Sequence, residues 1–155
     1  STQSETVLFK ETFYLPSGKA KFSAAHYSHA AELPSDDFPL VLITGRQLEH
    51  WHTGTMTRRA RVLDSLEPEA FISMNSQDME LYQIESDDIV RLHSKRGELT
   101  AAVRMDNGLQ VGNVFMPFCY VEAAANLLTI DAIDPIGKIP EFKHCAVQIS
   151  KSAGQ

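Results

Sequence analysis

The stretch "PLVLITGRQLEHWHTGTMTRR", residues 39–59, changes character partway through. Its opening "PLVLIT" is a short continuous apolar run rich in leucine and β-branched residues, which reads as a buried strand. The part that follows crowds two histidines, one tryptophan, four threonines and three arginines into residues 44–59. A strand that empties into so many hydrogen-bond donors reads as a core element delivering a polar loop to one end of the fold.

Outward from that stretch the order is regular. "MTRRARVLDSL" spaces Met56, Ala60, Leu63 and Leu66 at helical intervals and predicts a helix ended by Pro68. "AFISM" is a second strand, and "NSQDMELYQI" a short helix capped by Asn75 or Ser76 with an acidic first turn. "DDIVRLHS" and "GELTAAVRM" alternate apolar and polar residues around "KRG" and predict a hairpin, after which "DNG" at residues 106–108 turns the chain. "NVFMPF" is a strand, "EAAANLL" a short helix and "CAVQIS" a closing strand. Many short strands with hairpin signals and few, short helices predict a mainly β fold: a closed or nearly closed barrel with helices at its rim. A parallel nucleotide-binding sheet would need a strand, long helix, strand rhythm that is missing.

The first 37 residues differ from the rest. "VLFKETFYLPSGKAKF" reads as two short extended pieces around a turn at residues 16–19, and "AAELPSDDFP" as a polar connector. The expected organisation is an arm over residues 1–37 that packs against something larger, and a barrel domain over residues 38–155.

Bulk properties exclude several classes. A chain of 155 residues buries an ordinary core without disulfides or a structural metal. The formal net charge of −6 argues against a nucleic-acid partner, and Arg58, Arg59 and Arg61 suit a small anion better than a duplex. No apolar run approaches the roughly 20 residues that cross a bilayer, and the first residues lack the pattern of a signal peptide. Cys119 and Cys145 lie far apart among apolar neighbours, without the paired spacing of a zinc or iron-sulfur site, and read as core thiols in a reducing compartment. That favours the cytoplasm.

Three readings of the loop stay open on residue types alone. In an extended "HWH", His50 and His52 share a face and could ligate a metal, though no third ligand stands nearby. The histidines and Trp51 could instead be a satisfied corner of the core. As a polar cradle, Gly45 and Gly54 allow close backbone approach, threonines, histidines and free amides can bond an anionic or heterocyclic ligand, and a helix starting near Thr55 or Met56 adds its positive end. Neither usual phosphate motif is present. Composition and spacing favour a ligand loop without naming the ligand.

"TGRQLEHWHTGTMTRR", followed in order by "EAAANLLTIDAIDP" and "KIPEFKHCAVQI", closely resembles the C-terminal molybdopterin-dinucleotide-binding domain of the bis-molybdopterin guanine dinucleotide oxidoreductases, the family of formate dehydrogenases, periplasmic and assimilatory nitrate reductases and dimethyl sulfoxide reductase. The resemblance covers about residues 39–150, and "PSGKAKF" looks like the segment leading in. "EAAANLLT" and "GKIPEFK" are most similar to the formate dehydrogenase alpha subunit, while "EHWHTGTMTRR" is shared with periplasmic nitrate reductases.

The resemblance implies a double-psi β-barrel that holds one molybdopterin guanine dinucleotide. It places Thr44, Gly45, Arg46, Gln47, Leu48, Glu49, His50, Trp51, His52 and Thr53 in the segment wrapping that cofactor, adds Asn126 and Lys143 as further contacts, and sets Phe118 at an aromatic position near the substrate funnel. The nitrate branch has Trp at this last position, so Phe118 argues against a nitrate-specific role. Pterin edges present rows of donors and acceptors that amide and imidazole groups can read, and a lysine ammonium suits a carbonyl or phosphate oxygen. The family's metal ligand and four-cysteine cluster site have no counterpart here. The resemblance therefore implies that the molybdenum or tungsten centre, the 4Fe-4S cluster and the second dinucleotide site come from upstream sequence, with electron-transfer subunits completing the holoenzyme. No catalytic or metal-ligating residue is expected in this chain, whose part in oxidising formate to carbon dioxide is to position the cofactor. The same domain from a nitrate reductase, or a freestanding barrel without cofactor, are the alternatives.

Overall fold

The computed structural model describes residues 7–152. Six strands form a closed barrel in the order β1, β5, β2, β4, β3, β6 and back to β1. They are β1 (Leu40–Gly45), β2 (Phe71–Met74), β3 (Ile89–His93), β4 (Glu98–Met105), β5 (Asn113–Pro117) and β6 (Cys145–Lys151). β1 pairs parallel with β5, and β2 parallel with β4. The β2–β5, β3–β4, β3–β6 and β1–β6 pairs are antiparallel. Two parallel pairs set within one closed barrel are the double-psi arrangement the resemblance implies.

Alternation along each strand fills the interior. Leu42, Ile72, Met74, Val90, Leu92, Val103, Val114, Met116, Cys145 and Val147 are fully buried. Cys119 is buried too, and both cysteines are free thiols. Burial pushes each thiol above its ordinary pKa, as an apolar setting disfavours thiolate. β2 is covered on both faces. Ile72 and Met74 point inward, while the Arg104 guanidinium lies over the Phe71 ring with its central carbon 4.0 Å from the centroid.

The second predicted helix forms as α2 (Ser76–Leu81). Asn75 is its cap, its side-chain oxygen accepting from the Gln77 amide at 2.9 Å while its Nδ2 donates to the Leu109 carbonyl at 2.8 Å. The first-turn acid, Asp78, is buried and accepts from the Gly112 amide at 2.8 Å. One short helix thereby fastens the whole β4–β5 connection.

Three expectations need correction. The helix over residues 56–66 is broken at Ala60 (φ −92, ψ 103) into a 3-10 turn, Thr57–Arg59, and a six-residue α1, Arg61–Leu66. Neither piece buries a residue, and Met56 and Leu66 are mostly exposed. Helical spacing presumes an apolar partner, and no described element supplies one. "EAAANLL" makes only a 3-10 turn, Ala125–Leu127, because Ala123, Ala125 and Leu128 are drawn individually onto the barrel end. In the arm, Gly18 (φ 68) and Leu15 form a hydrogen-bonded turn, but the flanking pieces build no strand. An isolated two-stranded hairpin is marginal in water.

The arm is fastened close to its end. Glu32 accepts from Arg96 Nη1 and Nη2 at 2.9 and 2.8 Å and from the Ala146 amide at 2.9 Å. One residue before it, the Ala31 amide donates to the Glu141 carboxylate at 3.2 Å.

Two outcomes follow from this packing. Asn75→Ala removes both the cap and the Leu109 tie, and chemical denaturation should show a loss of about 2 kcal/mol. Hydrogen bonding from Arg96 holds the Glu32 carboxyl below its ordinary range against the opposing effect of burial. A carboxylate lowered in the folded state stabilises fully above its unfolded pKa and loses that contribution as pH falls through the folded value. Thermal midpoints measured from neutral to acid pH should therefore fall more steeply for the native chain than for Glu32→Gln below the ordinary carboxylate range, the variant starting lower at neutral pH.

Candidate functional site

The ends of β1 and β5 are adjacent, since Thr44 registers with Met116 and Gly45 with Pro117. Three segments are gathered there. The Gly45 carbonyl accepts from the Phe118 amide at 3.1 Å, which sets the chain leaving β5. Buried Thr44 donates its hydroxyl to the Phe142 carbonyl at 2.7 Å, which sets the chain entering β6. A β-carbon on Gly45 would stand 2.4 Å from the Phe115 ring, so any larger residue would have to displace that ring.

The loop leaving β1 divides its polar groups between two uses. His50 is buried; its Nε2 donates to the Glu67 carbonyl at 2.8 Å, and its Nδ1 lies 3.3 Å from the Thr57 hydroxyl. A carbonyl can only accept, so Nε2 carries the proton and Nδ1 takes the hydroxyl hydrogen. Thr57 in turn accepts from the Trp51 amide at 2.9 Å. Tyr120, buried with its hydroxyl 3.2 Å from the same Glu67 carbonyl, packs its ring edge-on to His50. Burial raises the Tyr120 phenol well above its ordinary pKa. Arg58 is likewise committed inside the protein: Nε pairs with Asp64 at 2.6 Å, Nη1 with Glu122 at 2.9 Å, and its guanidinium covers Tyr120.

His52 and Thr53 turn the other way. His52 has φ 53 and Gly54 φ 75, two left-handed residues that fold the loop tightly. A β-carbon on Gly54 would meet the Cys119 carbonyl at 2.7 Å. This bend swings His52 outward and leaves His50 inside, so the shared face needed for a two-histidine metal site does not form. Among the described residues no group of three or more His, Cys, Asp or Glu is placed to hold a metal ion. The positive helix end expected near Thr55 is absent as well, since only a three-residue 3-10 turn stands there.

A cleft of about 330 Å3 opens where the gathered segments meet, lined by His52, Thr53, Phe118, Asn126, Thr129, Ile130, Pro140 and Phe142. The Phe118 ring lies 5.3 Å from His52 and 6.4 Å, edge-on, from Phe142. Thr53 also borders a second depression of about 470 Å3 with Arg58 and Arg59.

Of the residues singled out in the sequence, His52, Thr53, Phe118 and Asn126 share this cleft. Lys143 stands at its margin, exposed, with Nζ 5.9 Å from the Phe142 ring centroid. Thr44, Gly45 and His50 lie behind it as braces. Gln47 and Glu49 bond each other at 2.6 Å, Arg46 sits over Trp51 at 5.6 Å, and Leu48 and Trp51 face outward. Thr129, Ile130, Pro140 and Phe142 were not singled out. Each lies within three or four residues of Asn126 or Lys143, and that adjacency was the available signal.

The model for the family described as "Molydopterin dinucleotide binding domain" matches residues 40–146. The F420-dependent formate dehydrogenase subunit alpha of Methanocaldococcus jannaschii is 45% identical over 145 residues, which are 94% of this chain and 22% of that protein. The F420-dependent formate dehydrogenase 2 and 1 alpha subunits of Methanococcus maripaludis are 39% and 37% identical, again over 94% of this chain. The chain thus spans about a fifth of the length of these relatives. Among solved structures, the acetylene hydratase of Pelobacter acetylenicus shares the fold with a TM-score of 0.67 at 14% identity, over 74% of this chain and 18% of that one. With a family model covering most of its length and the barrel to match, this chain belongs to the molydopterin dinucleotide binding domain family.

Proposed function

We propose that this chain is the cofactor-holding C-terminal domain of a formate dehydrogenase alpha subunit and grips one molybdopterin guanine dinucleotide at the β1–β5 end of the barrel. The observation that carries the reading is the convergence of His52, Thr53, Phe118 and Asn126, from three separate segments, on one cleft. The three formate dehydrogenase relatives, 37–45% identical, support the choice of formate over nitrate.

The residues present fit such a group. A pterin needs polar partners along its edge and apolar cover on its faces. The Asn126 amide, the Thr53 and Thr129 hydroxyls and the His52 imidazole supply the first, and Phe118, Phe142, Ile130 and Pro140 the second. Lys143 is available at the margin to a carbonyl or phosphate oxygen. Arg46, Gln47, Leu48, Glu49 and Trp51 form the outer wall of the wrapping segment, while Thr44, Gly45 and His50 hold that segment to the barrel.

When bound, the metal-dithiolene group supplies the two-electron chemistry by which formate becomes carbon dioxide. This chain's residues perform none of it: they orient, desolvate and hold. Phe118, covering the cleft between His52 and Phe142, excludes water from the region facing the substrate. In this reading residues 1–37 are the arm arriving from the preceding domain and residues 38–155 are the cofactor domain. Other domains of the same subunit supply the metal ligand, the 4Fe-4S cluster and the second dinucleotide site. Electron-transfer subunits carry the electrons onward, and the relatives' names favour F420 as acceptor. The described residues contain no helix long and apolar enough to cross a membrane, and two buried free thiols favour a reducing cytoplasm.

In the full-length subunit, Asn126→Ala and Lys143→Ala should each lower bound dinucleotide and metal by roughly fivefold to tenfold, the scale of one lost polar contact, while circular dichroism of the domain stays unchanged. Native loading and turnover in both variants would remove the assignment.

A further inference from the structure

The wall of the cleft that carries Asn126 has almost no regular structure of its own. It is the three-residue 3-10 turn Ala125–Leu127, followed by Leu128 and Thr129. Outside contacts hold it. Arg96 Nε donates to the Leu128 carbonyl at 2.9 Å. Gly97 lies so close beneath that a β-carbon there would stand 2.8 Å from the Leu127 carbonyl. Ile130 is tied by its amide to Cys145 Sγ at 3.3 Å. Arg96 itself is aimed by the arm, through the paired bonds from both Nη atoms to Glu32, and the Ala146 amide locks that carboxylate from the other side.

We infer that Glu32 and Arg96 are positioning residues for the cofactor cleft, transmitting the placement of the N-terminal arm through the Leu128 carbonyl to Asn126 and Thr129. The inference rests on the cofactor reading above. Arginine is suited to the task because its planar fork binds a carboxylate with both Nη atoms and leaves the Nε–H directed at a fixed angle. Fixing the guanidinium against Glu32 therefore fixes where the Leu128 carbonyl must lie. A lysine keeps the charge and the ion pair, but has no rigid fork with which to satisfy both partners in that geometry.

Three substitutions in the full-length, cofactor-loaded subunit test this, read by the rate at which the dinucleotide is released and, in parallel, by the thermal midpoint. Arg96→Lys should release it about tenfold faster, the equivalent of one directed contact, with the midpoint held within about 3 °C by the retained ion pair. Gly97→Ala displaces the same wall through the Leu127 carbonyl while leaving Glu32 and Arg96 intact, and should also speed release. Asn126→Ala reports on the cleft directly. Faster release in Asn126→Ala with native rates in Arg96→Lys and Gly97→Ala would overturn the inference and leave the cofactor reading standing; so would release rates that simply follow the midpoint across the set. Native release in Asn126→Ala would overturn both.

Discussion

The parallel pairing of β1 with β5 is the constraint on which the cleft depends. Parallel neighbours end at the same edge of the barrel, so the loops that leave them start side by side. Here the register runs to Gly45 opposite Pro117, and the absence of a side chain at Gly45 admits the Phe115 ring that would otherwise collide with it. Thr44, one residue earlier, reaches across to the Phe142 carbonyl and draws in the segment that enters β6. Three stretches distant in sequence are thereby brought together by main-chain geometry and two short polar ties.

Around that junction the polar residues sort by burial. His50 bonds Thr57, His50 and Tyr120 share the Glu67 carbonyl, and Arg58 pairs with Asp64 and Glu122 while covering the Tyr120 ring, forming a polar scaffold beneath the loop. Buried donors and acceptors left unpaired would be costly, which is why so polar a segment can pack against a barrel at all. His52, Thr53 and Asn126 stay directed at the cleft. The loop is hydrogen-bonded where it is buried and chemically available where it is open, a division that suits a domain whose task is to hold a large cofactor still.

Several large apolar side chains stand exposed. Leu48, Trp51, Met56, Val62, Leu66 and Val121 are exposed on or beside the loop and α1, and Phe22, Tyr27 and Ile136 elsewhere. That exposure agrees with a chain spanning about a fifth of the length of its relatives, and with its proposed place as one domain among several.

The sequence by itself was enough to define the six strands, the hairpin around Gly97, a helix cap at Asn75 or Ser76 and the two core cysteines. Each is a local pattern of alternation, turn residues or apolar flanks that depends on little beyond its own neighbours. It also carried the motifs from which the family and the cleft residues His52, Thr53, Phe118 and Asn126 could be named. Tertiary structure decided the rest. Whether a histidine braces or reads a ligand depends on the side to which a left-handed residue turns it, and nothing in "HWH" separates His50 from His52. The apolar spacing of residues 56–66 promised a helix that a missing partner left short and broken at Ala60. Thr129 and Phe142 line the cleft where Arg96 holds the neighbouring Leu128 carbonyl and Thr44 holds the Phe142 carbonyl, both from far away in the chain: long-range ties of that kind leave no periodic trace in a sequence.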